Sequence, residues 1–246
     1  MLIDNKLTFD DHIKYVVKSS QQVSAWILRT FLSREKFLLK VLLKSLLIPK
    51  TEYACVLWSP FDNKRISMLE SVQRRFTSRI AEYNTWDEEA QAYTCTVNYW
   101  DRLVDLGAYS LERRRERFFI LYAYRVIIGL LEFPWFDAFV ERGIKLRPKY
   151  NRRAPTAVRR HRFSSFFYKA PQLYNLLPIE LRQVEAIVEP TQGHVNDFKV
   201  KLDKFLSKIP DQPTVPGLHR PATTNSLICQ IPYYNRQNRQ QMAVVA

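Results

Sequence analysis

The 246 residues suffice for one large domain or two small ones, and a hydrophobic fraction of 46 % supplies a core, which excludes a chain disordered over most of its length. The net charge of +14 is unevenly placed: residues 142–179 hold ten basic and no acidic side chains, against 14 basic and 11 acidic ones in residues 1–100. Three dispersed cysteines (Cys55, Cys95 and Cys229) fit neither a disulfide framework nor a zinc module, and the longest apolar run, Phe118 to Leu131, is broken by Arg125 and falls short of the ~20 residues a membrane span needs, so a soluble intracellular protein of the cytoplasm or nucleus, without membrane contact, is expected.

Only the opening "LID" reads as strand, so residues 1–7 are expected to be the end of a sheet. Asp10 and Asp11 then precede a helical spacing through Ile13, Val16, Val17, Val23, Trp26, Ile27 and Phe31. Ser33 is placed to cap a second helix that Pro49 should end, Pro49 itself being suited to start the following turn. Asp62 or Asn63 caps a third, whose stripe is Ile66, Leu69, Val72, Phe76 and Ile80. Lys64, Arg74 and Arg75 fall off that stripe and should face solvent or a ligand. A helix near 99–106 stops at Gly107, in a left-handed cap, and another runs from Ser110 to about Ile128, with Gly129 beyond it. Its charged start, with Arg113, Arg114, Arg115 and Arg117 against Glu112 and Glu116, reads as ordinary helix ion pairs. Residues 134–180 look like loops and short elements. A last amphipathic helix, about 195–208, aligns Phe198, Leu202, Phe205 and Leu206, and the proline- and Gln/Asn-rich segment 209–246 reads as a disordered tail. The fold class is therefore mainly α.

Chemistry is sparse. The five glycines are too far apart for a phosphate cradle, and the four histidines are scattered. No nucleophile pattern and no metal-ligand spacing emerges, so no catalytic or metal-binding residue is assigned. Asp10-Asp11 has two readings: a carboxylate pair able to hold magnesium, or acids favoured at a helix start by its exposed N–H groups and dipole. The helix-start signals favour the second.

The distinctive stretch is "RRAPTAVRRHRFSSFFYK", residues 152–169. It crowds five arginines into its first eleven residues and follows them with aromatics, without an acid. Cations neutralise phosphates, and Phe163, Phe166, Phe167 and Tyr168 are able to stack on unpaired bases. The competing reading is a solvated basic loop whose aromatics plug the core; for the aromatics burial is the commoner fate. The candidate nucleic-acid-binding residues are Arg74, Arg75, Lys145, Arg147, Lys149, Arg152, Arg153, Arg159, Arg160, Arg162 and Lys169.

Four segments, in order, resemble the region after the catalytic palm in reverse transcriptases of non-LTR retrotransposons (LINEs), the jockey-like group above all. They are "LIDNKLTFDDHI" (2–13), "EYACVLWSPFDNKRISMLESVQRRFTSRI" (52–80), "RLVDLGAYSLERRRERFFILYAYRVIIGL" (102–130), and "YNLLPIEL" (174–181) followed by "VNDFKVKLDKFL" (195–206). Each is weak alone; their order and spacing are specific. Tyr174 stands where the family usually has Trp. The family's Phe/Tyr-x-Asp-Asp catalytic hairpin is not among these residues, and Asp10 and Asp11 fall where the family has no catalytic role. The resemblance implies a remnant of the palm sheet at 1–7, a helical thumb at 8–82, and a helical post-polymerase region at 83–208 with a basic loop at 142–179. It implies RNA or DNA as partner, a polymerase palm as a second partner, and magnesium only in that palm, so no cofactor here and an RNA-directed DNA polymerase parentage without activity of its own. The alternative is a helical protein-interaction module with no nucleic-acid role, which predicts an exposed apolar surface.

Overall fold

The computed structural model describes residues 1–3, 8–60, 62–131, 139–142, 145–148, 166–182, 189–213 and 225–245. Among them the chain is mainly helical and divides into two compact units, Met1–Arg114 and Arg115–Ala246.

In the first unit, α1 (Asp10–Thr30) packs against α5 (Asn63–Thr77). Its buried side chains Ile13, Val16, Val17 and Ile27 follow the spacing of three or four that one helical face imposes. Asp10 is paired with Arg65, which also holds Asp62, and Asp11 pairs with Lys14 at 3.0 Å. Both acids are thus engaged at a helix start. Asp62 caps α5 by accepting from the Arg65 amide at 3.0 Å, and Ile66, Leu69, Val72, Phe76 and Ile80 are all buried.

Between these helices the chain departs from expectation. Helix α2 is Lys36–Leu42, with Glu35 rather than Ser33 at its N-cap; the Ser33 hydroxyl accepts from the Glu35 amide, two positions too early to cap the helix. Pro49 does not end the helical run. A π-helical turn, Leu43–Leu47, leads into α3 (Ile48–Glu52), and Pro49 lies in the first turn of α3, directly after the π turn. The short α4 (Cys55–Trp58) ends on Trp58, which is buried. Its indole N–H donates to the Tyr53 carbonyl at 2.8 Å, and its ring meets the edge of His12. Trp58 is a packing residue.

Residues 1–3 form no strand, and Leu2 and Ile3 are exposed. A strand pair occurs where none was read: β1 (Asn84–Asp87) and β2 (Ala92–Cys95) form an antiparallel hairpin, with Trp86 set against Tyr93. Asp87 closes its turn by accepting from the amides of Glu89 and Ala90. The β-branched and aromatic residues Thr85, Trp86, Tyr93 and Thr94 around a short polar turn carry this signal.

Helix α6 (Tyr99–Leu106) is capped by Asn98 and ends at Gly107 in the left-handed region, φ 55°. Residues 83–114 pack with the first unit, although the sequence suggests a boundary at 82/83. Helix α6 packs on α5 with Tyr99, Leu103 and Leu106 buried, Lys36 pairs with Asp105 at 2.8 Å, and Gln73 donates to the Tyr109 carbonyl; within the segment Tyr83 donates to Asp105. Burial, then the Asp105 carboxylate, pushes the Tyr83 phenol well above its ordinary range, while Lys36 holds Asp105 below its own.

Helix α7 (Leu111–Ile127) starts behind Ser110, whose hydroxyl accepts from the Arg113 amide, and is followed by Gly129 at φ 76°. In the second unit its buried Phe119, Ile120, Ala123 and Tyr124 meet α8 (Phe166–Asn175) and α10 (Gln192–Leu206) through ring contacts, Phe119 on Phe166 and Tyr124 on Phe198. Strands β3 (Phe139–Arg142) and β4 (Lys145–Pro148) pair antiparallel, and a short α9 (Ile179–Arg182) precedes α10. Tyr174 is buried and its hydroxyl donates to the Arg182 carbonyl.

The segment read as a disordered tail contains a helix, α11 (Leu227–Val245), with Leu227 and Ile231 buried. An apolar pair one turn apart secures it, a pattern hidden by the surrounding Gln and Asn. Residues 214–224 of that segment lie outside the described ones.

Candidate nucleic-acid interface

A polyanion needs cations that no carboxylate already holds. The ion pairs of each unit therefore sort the basic side chains.

Several are spent inside the fold. Arg114 is bidentate to Glu52 in the first unit, with one contact at 3.0 Å. In the second, Arg117 is bidentate to Asp203 at 2.5 and 2.7 Å. Arg113, Arg115, Glu112 and Glu116 are all buried. Arg114 and Arg117 were expected to pair along one helix; they pair instead with carboxylates tens of residues away in sequence. Lys169, a candidate site residue, belongs to this class. Its ammonium lies 3.0 Å from the fully buried carboxylate of Glu116 and over the Phe119 ring. Glu116 also accepts from the Ser226 hydroxyl and the Leu227 amide, both at 2.6 Å.

Arg74 and Arg75 are placed differently. Both stand exposed in the last turn of α5, and neither has a carboxylate partner among the described residues. The Arg74 guanidinium lies 4.8 Å from the centre of the Tyr99 ring. Stacking of this kind fixes the plane of the guanidinium while leaving its edge donors open.

The single acid of α5, Glu70, is buried: it accepts from the Tyr99 hydroxyl and, at 3.2 Å, from the Leu111 amide. The outer surface of α5 therefore presents Lys64, Arg74 and Arg75, with Arg79 just beyond the helix, and no carboxylate of its own. Lys64 and Arg75 are eleven residues apart, three helical turns, so they share a face about 16 Å long. In the sequence Lys64 falls off the apolar stripe but is not assigned to binding, nor is Arg79; Glu70, the one acid between Asp62 and Glu82, masks this face because its burial is not legible there.

A second cationic group is on α2 and the π turn. Burial, then the nearby Lys40 and Arg114, lowers the Lys44 pKa.

Of the remaining candidates, Lys145 and Arg147 lie on β4, opposite Arg142 and Val140 in register. Lys149, Arg152, Arg153, Arg159, Arg160 and Arg162 lie outside the described residues. Among the aromatics of that stretch, Phe166 is half-buried in the second unit: its ring stacks on Phe119 at 5.9 Å and meets Tyr122 edge-on.

No group of three or more His, Cys, Asp and Glu side chains gathers among the described residues, and no described helix is long and apolar enough to cross a membrane. Comparison of the chain with models of protein families, with curated proteins and with solved structures finds no match.

Proposed function

We propose that these residues are the thumb and post-palm part of a jockey-like LINE reverse transcriptase, and that they grip RNA or DNA rather than perform the polymerase chemistry. One observation carries the reading: segregation of charge. The stretch 142–179 has ten cations and no acid, and the outer face of α5 repeats that arrangement because Glu70 is withdrawn into the core. Solubility alone would disperse such charge; a phosphate backbone rewards gathering it. The ordered family-like segments add the thumb assignment.

In this reading α5 lays Lys64, Arg74, Arg75 and Arg79 along the backbone, fixing position without reading sequence. Tyr99 holds Arg74 ready for a bidentate phosphate contact. The arginines of 152–162 supply the larger share of affinity.

The test is replacement of Arg152, Arg153, Arg159, Arg160 and Arg162 by Gln in the full chain. Retention of RNA on a filter at near-physiological salt should fall at least tenfold. Unchanged retention would contradict the proposal.

A second reading, a protein-interaction module, has its own support. Leu32, Phe37, Val41, Tyr53 and Leu57 are large apolar side chains exposed in the first unit. It predicts no loss of RNA retention in the same variant, and weakened self- or partner association on replacing Phe37 and Leu57 by Ser.

A further inference from the structure

Helix α1 turns an unusual face outward. Lys18, Gln21, Gln22, Ala25, Trp26 and Arg29 line one shallow depression on it. Their spacing of three, one, three, one and three residues is that of a single helical face. Trp26 is 55 % exposed there, although its neighbour Ile27 is fully buried, so the indole is not needed for the core. Trp is the side chain whose exposure gives up most hydrophobic stabilisation.

The charges around it agree in sign. From His12 to Thr30 the helix has no acid. Its two acids, Asp10 and Asp11, lie at the far end and are paired with Arg65 and Lys14. Lys18 and Arg29 have no ion pair among the described residues. A flat aromatic face thus sits between two free cations that are eleven residues, or about 16 Å, apart along the helix. Ala25 leaves room beside the ring, and the Gln21 and Gln22 amides offer both donors and acceptors at its edge.

An unpaired nucleic-acid strand supplies what this face lacks: a base to cover the indole and phosphates to meet the cations. An acidic peptide would satisfy the charges but has no flat partner for the ring, and a duplex hides its base faces. We infer that the Lys18–Trp26–Arg29 face of α1 is a stacking site for an unpaired strand, with Trp26 as the platform. The inference rests on the reading that the chain binds nucleic acid, and it adds a site and a preference for single-stranded over paired substrate.

Because Trp26 is exposed, its replacement leaves the core intact, and circular dichroism checks this. The full chain is titrated with an oligouridylate, with an abasic oligomer of equal length and charge, and with an oligoglutamate. Trp26→Ala should weaken oligouridylate binding by roughly five- to 140-fold, the range that loss of one stacked base gives, and leave abasic binding unchanged. Trp26→Phe should recover most of the loss. Lys18→Gln with Arg29→Gln should weaken both oligomers. Equal loss for both oligomers in Trp26→Ala, or no loss for either, overturns the stacking site while leaving nucleic-acid binding intact. Oligoglutamate bound as tightly as oligouridylate also overturns it. Failure of the unaltered chain to bind any oligonucleotide would instead overturn the parent reading.

Discussion

Two side chains expose the physics most directly. Arg74 carries a charge that lysine could match, but its plane is set by the Tyr99 ring and its fork suits a phosphate. Arg74→Lys should therefore lower oligonucleotide affinity severalfold while leaving the salt slope unchanged, since the charge count is the same; fluorescence anisotropy over a salt series separates the two effects. His12 is the second. It is buried against Trp58, and burial, then the N-terminal ammonium, pulls its pKa below the ordinary 6.5. The folded chain resists taking up the proton that the unfolded chain accepts near pH 6.5. Stability is thus complete above that pH and falls as pH drops toward the lowered value. The melting temperature should decline between pH 7 and 5, and His12→Gln should flatten that decline at some cost at neutral pH.

At the scale of elements, α7 is held by buried charge. Glu116 takes bonds from Lys169 of α8 and from Ser226 and Leu227 at the start of α11. Glu116→Gln leaves the largely buried Lys169 without its counter-charge, and should cost roughly 3–5 kcal/mol in urea unfolding of the second unit. An exposed pair of the same chemistry would cost under about 1 kcal/mol. Ion pairs of this range were not legible in the sequence. The "LERRRER" start of α7 looks like an ordinary solvated helix, and only the burial of Arg113, Arg115 and Glu116 shows otherwise. The apolar stripe of α5, the Asp62 and Ser110 caps and the Gly107 stop were legible, because each depends on neighbours within a turn or two. The continuous helical passage through Pro49 and the β1–β2 hairpin were not legible in the sequence. The π turn before Pro49 removes the penalty the residue normally imposes, and the hairpin strands are too short to stand out beside long helices.

For the whole molecule, the sequence's helical class holds and its charge map gains meaning. Roughly, the cations divide into those answered inside each unit and those left facing outward. Arg114, Arg117 and Lys169 belong to the first group; Lys18, Arg29, Lys64, Arg74 and Arg75 to the second. Counting basic residues along the chain does not separate these groups, which is why Lys169 stood among the candidates. Outward cations without carboxylates are held by the fold at a cost in self-repulsion, and a polyanion relieves it. The most direct measurement is the affinity of the full chain for a single-stranded RNA from low to near-physiological salt. Gripping by several free cations requires log affinity to fall with log salt at a slope of magnitude about 3 or more, which ~5 neutralised phosphates of one strand would give. A near-flat dependence, or no measurable binding at low salt, would contradict the assignment of these surfaces to nucleic acid.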